Sequence, residues 1–290
     1  ILPKPQVQNM AKWPLALILC ALIFLLESSP VGAQILGGSD TTEIAENLYS
    51  SRHGGGRSLW VEMDNSVIVF DPMNTTAAAV LNDSIKAATD KPVSHVIYSH
   101  EHYEHIRGAK IFADAGATIV SHENCLDTFD YIPDPEAIRP DVTFSDNYDI
   151  PVAGTKIELL YFGRNHGDCM TVAHFPEHRL VLIIDLIAEK SLPFGSLPDY
   201  YPGDTLRSLK EIAQLDFDRI ALGHRSAVID RAALDDTIGY WSDLMAAVKA
   251  ELEKGTGAFE VMETVELPQY RDWRNHDRWF KRHVERVVWH

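Results

Sequence analysis

The chain has 290 residues, 46% hydrophobic and 23% charged, which are globular proportions that exclude a disordered or collagen-like chain. The formal charge is −16, from 26 Lys+Arg against 42 Asp+Glu. Phosphate backbones and anionic lipid would be repelled, so a small molecule rather than nucleic acid is the expected partner.

Lys12 precedes an apolar run from Trp13 to Leu26, and Val31-Gly32-Ala33 follows with small residues at its end. Basic start, apolar middle and small-residue end are the order of a secretory signal peptide. The run is shorter than the ~20 apolar residues of a membrane-spanning helix, and Pro14 breaks it. Residues 1–33 are therefore assigned to a cleaved signal, with residues 1–9 lying upstream of Met10. The mature protein is expected in the periplasm or outside the cell, without stable membrane insertion. A mobile lead-in is expected over residues 34–44, and one domain over residues 45–290.

Within that domain, runs rich in Val, Ile and Leu and bounded by turn residues read as strands. They are Leu59–Met63, Val67–Phe70, Val93–Ser99, Thr118–Ser121, Lys156–Tyr161, Thr171–His174, Leu180–Ile184 and Arg219–Leu222. Asp64-Asn65 reads as a hairpin turn. Helical periodicity marks Thr75–Thr89, Ile106–Ala115, Asp204–Gln214 and Arg231–Lys254, with Asp204 as an N-cap and Gly255 as a C-cap. Alternating strands and helices predict an α/β layered domain. Tyr270–His290, dense in Arg, Trp and His, is expected to be a surface helix packing its aromatic side onto the domain. Cys125 and Cys169 can either pair or remain buried free thiols.

Of thirteen histidines, five stand out. After the strand Val93–Ser99 comes His100-Glu101-His102-Tyr103-Glu104-His105. Three imidazoles and the carboxylate of Glu104 within six residues are costly to bury uncompensated and repel one another when protonated. A divalent cation resolves this, because neutral imidazole and carboxylate are good ligands for Zn, Fe or Mn.

The block resembles the His-x-His-x-Asp-His signature of the metallo-β-lactamase superfamily, and the resemblance continues along the chain. His166 lies within Gly163-Arg164-Asn165-His166-Gly167-Asp168, Asp185 ends the strand Leu180–Ile184, and His224 follows Leu222-Gly223. The resemblance, over roughly residues 45 to 230, implies a four-layer αββα sandwich with a metal site at one edge between its sheets. It assigns one metal to His100, His102 and His166. A second metal falls to Glu104, His105 and His224, with Asp185 bridging. Glu104 stands where the family has Asp, and its extra methylene moves the carboxylate by about 1 Å, against a tolerance of about 0.2 Å in metal–ligand distance. Cys169 is read as a buried thiol rather than a ligand, since the other positions fill the site. His122 and Tyr103 are candidates for orienting ligands, and Asp168 for a hydrogen bond to one.

Two zinc ions sharing an oxygen ligand would present hydroxide at neutral pH and polarise a carbonyl. The expected activity is therefore metal-dependent hydrolysis of a lactone, ester, thioester or β-lactam. The alternatives are a mononuclear iron enzyme oxidising sulfur compounds and a β-lactamase proper. Substrate contacts are expected from the loop Lys190–Gly203, through Phe194, Leu197, Tyr200 and Tyr201.

Overall fold

The computed structural model describes residues 40–290, so the expected signal peptide and the expected lead-in up to residue 39 lie outside the described residues. Residues 40–44, expected in the lead-in, are instead part of an edge strand. Strand β1 (Asp40–Ala45) pairs antiparallel with β2 (Leu48–His53), and the hydroxyls of Thr41 and Ser51 meet across the pair at 2.8 Å. β-branched Thr41, Thr42 and Ile44 suit that extended backbone.

The first sheet continues in chain order through β3 (Gly56–Glu62) and β4 (Val67–Phe70). Helix α1 (Thr75–Ala88) then leads into β5 (Val93–Ile97). Short helices α2 (Tyr103–Ile106) and α3 (Lys110–Ala113) precede β6 (Thr118–His122), and α4 (Leu126–Tyr131) precedes β7 (Val142–Phe144). Strands β1 to β4 are antiparallel, whereas β4 to β7 run parallel. The second sheet holds β8 (Asn147–Asp149), β9 (Glu158–Tyr161), β10 (Thr171–Phe175) and β11 (Leu180–Leu182). After α5 (Pro202–Ile212) it is completed by β12 (Arg219–Ala221) and β13 (Val228–Asp230), in the order β13-β12-β11-β10-β9-β8. Helices α6 (Ala232–Glu253), α7 (Ala258–Thr264) and α8 (His276–Trp289) close the described chain.

Side-chain alternation builds the layers. In β4, Ile68 and Phe70 enter a core shared with Leu159, Phe175, Leu180 and Leu182 of the facing sheet. Val67 and Val69 enter a different core with Leu81 and Ile85 of α1. Across the molecule, Val172, Val181 and Ile220 pack with Leu209 of α5 and with Trp241 and Leu244 of α6. A period of two in a strand sends neighbours to opposite faces, so two sheets pack face to face with helices outside each. This is the expected αββα sandwich. Each fully buried aliphatic or Phe side chain contributes roughly 2 kcal/mol by leaving water, so these layers hold the strand ends in register.

The expected hairpin turn at Asp64-Asn65 joins β3 to β4, and Gly255, at φ 87°, follows α6 as a terminator. Two expectations are corrected. Helix α5 starts at Pro202, with Tyr201 as its cap and Asp204 in its first turn. Proline's fixed φ suits a first helical position. The helix expected over Ile106–Ala115 is broken into α2, a tight 3₁₀ turn and α3. Gly108 sits in that turn, where any side chain would collide with the Pro72 carbonyl and Ala78.

The C-terminal helix does pack on the domain: Phe280, His283 and Val284 of α8 are buried. His283 Nδ1 lies 2.6 Å from the Tyr240 hydroxyl of α6. Burial lowers the His283 pKa to about 4, against about 6.5 in an unfolded chain. The unfolded state therefore binds more protons between these values. The resulting stabilisation is complete above pH 6.5 and is lost as pH falls toward 4. His283→Gln should flatten the dependence of melting temperature on pH in that window, relative to the parent protein. The expected difference amounts to up to about 3 kcal/mol; parallel curves for the two proteins would refute it.

Candidate metal centre

The centre lies where the strands of both sheets end. Strand β5 delivers Ser99 and His100, β4 delivers Asp71, β11 delivers Asp185, and β12 is followed by His224. His100 and His105 are fully buried and Asp71 is 1% exposed. The Asp71 carboxylate accepts hydrogen bonds from the Ser99 backbone N–H (2.8 Å) and the Ser99 hydroxyl (2.6 Å), and His105 Nδ1 lies 3.2 Å from it. A carboxylate only accepts, so the single Ser99 hydroxyl proton goes to Asp71. Ser99 Oγ must then accept from His100 Nδ1–H, at 2.8 Å. This fixes the His100 tautomer and leaves the lone pair of Nε2 buried with no hydrogen-bond partner among the described residues. Both ring nitrogens of His166 are likewise without hydrogen-bond partners.

Five imidazoles converge here. Ring centroids are 4.4 Å apart for His100 and His102, 5.1 Å for His100 and His166, 4.7 Å for His102 and His166, and 5.3 Å for His105 and His224. Asp185 stands between them, with Oδ2 3.0 Å from His105 Nε2 and 3.8 Å from His100 Nε2, and Oδ1 3.0 Å from His224 Nε2. His224 donates from Nδ1 to the Gly55 carbonyl at 3.0 Å. Potential ligand atoms of His100, His102, His166 and Asp185 form one group, and those of His105, Asp185 and His224 a second; within each, all lie within 4.8 Å of one another. Orphaned buried lone pairs beside a shared carboxylate are a donor set fitted to divalent cations such as zinc, iron or manganese.

Charge follows the same geometry. Burial, reinforced by the neighbouring imidazoles, pushes the His100 pKa well below its usual value, and burial lowers that of His166 to about 4. Burial also opposes protonation of His105, but Asp185 and Asp71 outweigh it and raise the pKa to about 10. Burial would raise the Asp185 pKa, yet its hydrogen bonds with His105 and His224 hold it well below the usual carboxylate range.

Glu104 departs from its expected role. Its side chain is 60% exposed, with Oε1 3.8 Å from His102 Nδ1, and it belongs to neither donor group. In the first turn of α2 the longer side chain runs to the cavity rim, whereas His105 turns inward. Sequence reasoning missed Asp199. Its Oδ2 lies 2.7 Å from His102 Nε2, and its Oδ1 lies 3.5 Å from His166 Nδ1. The loop carrying it is clamped from three sides. Gly167 N–H donates to the Asp199 carbonyl (3.0 Å), the Tyr200 hydroxyl donates to the Asp185 carbonyl (2.7 Å), and Arg286 of α8 donates to the Tyr200 carbonyl (2.6 Å). No spacing in Pro198-Asp199-Tyr200 signals this, because only the folded loop brings Asp199 to the histidines. Asp71 and Ser99 were also missed, although both sit at strand ends.

Other candidates resolve structurally. His122 Nε2 donates to the Ser145 carbonyl and its Nδ1 accepts from Asn124 N–H, away from the donor groups. Tyr103 stacks with Arg107, and Asp168 contributes its carbonyl to Tyr161 and Asn124 rather than a carboxylate to a ligand. Cys125 and Cys169 form a disulfide, which decides between the two readings of these cysteines. Of the four expected substrate contacts only Phe194 lines the cavity; Leu197 and Tyr200 are buried, and Tyr201 lies under Arg164.

The family model of the Metallo-beta-lactamase superfamily matches residues 52–224, a span that includes all seven predicted ligand positions. A 2,4-dinitroanisole O-demethylase subunit alpha from Nocardioides sp. (strain JS1661) is 25% identical over 201 residues, which are 68% of this chain and 61% of that protein. The chain thus spans less than two thirds of that relative's length. Among solved structures, a stereoselective inverting sec-alkylsulfatase from Pseudomonas sp. is similar at TM-score 0.71 and 14% identity, over 87% of this chain and 50% of that one. A metallo-beta-lactamase from Pontibacter korlensis is similar at TM-score 0.63 and 17% identity, over 71% of this chain and 99% of that one. At these identities the two structures speak for the fold.

The disulfide closes a 44-residue separation and pins Cys169 three residues from His166. Loop-closure entropy for that length corresponds to about 4 kcal/mol. Replacing both cysteines by serine should lower stability by up to that amount in denaturant titration. An unchanged unfolding midpoint, in both oxidised and reduced samples, would show that the bridge constrains nothing.

Proposed function

Because the chain belongs to the metallo-beta-lactamase superfamily, we propose that it is a metal-dependent hydrolase that opens an ester-type or amide-type bond in a small substrate. The single observation that carries this reading is the Asp185 carboxylate shared by two groups of imidazoles, of which His100, His105 and His166 are buried. His100, His102 and His166 would hold one cation and His105 and His224 a second, with Asp185 common to both. Bound there, two zinc ions would supply Lewis acidity and lower the pKa of a coordinated water toward neutrality.

The chain's own groups prepare that chemistry. Asp71 and Ser99 keep the proton of His100 on Nδ1, so Nε2 offers its lone pair to the centre. Gly55 does the same for His224 by accepting from its Nδ1. Asp199 faces His102 and is placed to take up or release a proton at Nε2. Glu104 lines the cavity with a largely exposed side chain and stands outside both donor groups. The cavity, with a volume of about 820 Å³, falls in the range of small-molecule sites. The hydrolases among the structural neighbours, an alkylsulfatase and a metallo-beta-lactamase, support hydrolysis as the reaction class. The disulfide supports an oxidising compartment such as the periplasm or the exterior.

Three measurements test this reading together. A screen across lactone, thioester, sulfate ester, phosphoester and β-lactam substrates should find hydrolysis that chelation abolishes and zinc restores. Asp185→Asn should lower that rate at least a hundredfold, whereas Glu104→Gln should cost less than tenfold because Glu104 stands outside both donor groups. Full turnover after verified metal removal, or one tightly held iron with sulfur oxidation and no hydrolysis, would overturn the proposal.

A further inference from the structure

The cavity beside the centre is walled by apolar side chains that the chemistry of metal binding does not require. Ile187, Leu192 and Phe194 come from the loop after β11, and Trp279 comes from α8. Phe194 and Trp279 meet edge to face at 5.4 Å. Leu192 N–H donates to the Arg274 carbonyl at 3.0 Å, so the C-terminal segment and this loop form one wall.

Two arginines, Arg225 and Arg274, also line this cavity, and Arg225 is the one beside the metal centre. It follows His224 directly, lines the same cavity and is exposed. Its guanidinium has no hydrogen bond and no carboxylate partner among the described residues, in a chain with 42 Asp+Glu. Its backbone is left-handed, at φ 59°, a conformation unfavourable for a residue with a β-carbon. Surrounding structure enforces that conformation. Arg57 of β3 donates from its backbone N–H to the Gly223 carbonyl (2.7 Å) and from Nε to the Arg225 carbonyl (2.8 Å). The Arg57 guanidinium is itself anchored on Ser50 Oγ at 3.2 Å. A strained residue held from behind by a buried cation, with its own cation left free over a cavity, is the arrangement of a preorganised ligand contact. Four carboxylates also line the cavity. Asp185 and Asp199 are engaged by histidines, which leaves Glu104 and Glu189 on the rim.

We propose that the cavity binds an organic anion with an apolar body, the body against Phe194 and Trp279 and the charged group on Arg225. The inference names the substrate class of the centre described above and rests on that reading for its catalytic meaning. The binding itself requires no turnover. A guanidinium offers a planar fork of donors that matches carboxylate, sulfonate or sulfate oxygens, and a low-polarity wall strengthens such a pair relative to water.

Calorimetry on the purified metal-loaded protein tests this with three probes that share one tail: 1-decanesulfonate, 1-decanol and decyltrimethylammonium. The sulfonate should bind at least tenfold more tightly than the alcohol, and the ammonium most weakly. Arg225→Ala should reduce sulfonate affinity about tenfold, to the level of the alcohol, while alcohol binding stays as in the parent and reports an intact cavity. Arg225→Lys should recover part of the loss, and Phe194→Ala should weaken the sulfonate and the alcohol alike. Unchanged sulfonate affinity in Arg225→Ala, or tighter binding of the ammonium than of the sulfonate, would overturn the proposal. Hydrolysis is measured separately, so failure of the reaction class and failure of the anion contact give different results.

Discussion

One buried carboxylate organises the centre. Asp185 is reached from one side by His105 and from the other by His224, with His100 Nε2 at 3.8 Å, and it carries the negative charge that lets imidazoles collect in a dry place. Without a shared anion or cation, fully buried His100 and His105 would crowd one another with no compensation. The backbone at Asp185 is itself left-handed, at φ 57°, a conformation that Asp tolerates better than most residues. Its carbonyl is held by the Tyr200 hydroxyl at 2.7 Å, so the side-chain direction is set by the loop that also brings in Asp199.

That arrangement depends on the sandwich. Strands β4, β5, β11 and β12 end at the same edge because alternating Val, Ile, Leu and Phe lock both sheets into register. Donors on rigid strand ends are held more accurately than donors on free loops. The two loop-borne donors have their own restraints. His166 is tied by its bridge to Tyr200 and, three residues on, by the Cys125–Cys169 disulfide. His224 is tied by its bridge to Gly56. The C-terminal helix joins this scheme, because Arg286 grips the Tyr200 carbonyl while Trp279 walls the cavity.

Much of this was legible in the sequence, for identifiable reasons. The strands that precede His100 and His224 end in buried apolar residues, Val96-Ile97-Tyr98 and Ile220-Ala221-Leu222, and the dense His-Glu block has no ordinary structural use. Strands β8 (Asn147–Asp149) and β13 (Val228–Asp230) were illegible because three residues carry no period. Edge strand β1 was read as lead-in because most of its residues are exposed and polar. Asp199 was illegible because its role comes from a loop folded back by backbone hydrogen bonds, and Arg225 because a left-handed backbone leaves no mark in composition. Glu104 was read by analogy of position. Its carboxylate is largely exposed, 3.8 Å from His102 Nδ1, and belongs to neither donor group.

The account stands on Asp185 as the common ligand of two cations, and crystals of the zinc-loaded protein test this most directly by anomalous diffraction at the zinc edge. Two peaks are expected on either side of the Asp185 carboxylate. One should lie within bonding distance of His100, His102 and His166, and the other within bonding distance of His105 and His224. A single peak, or a second peak bound through Glu104 with Asp185 free, would contradict the account.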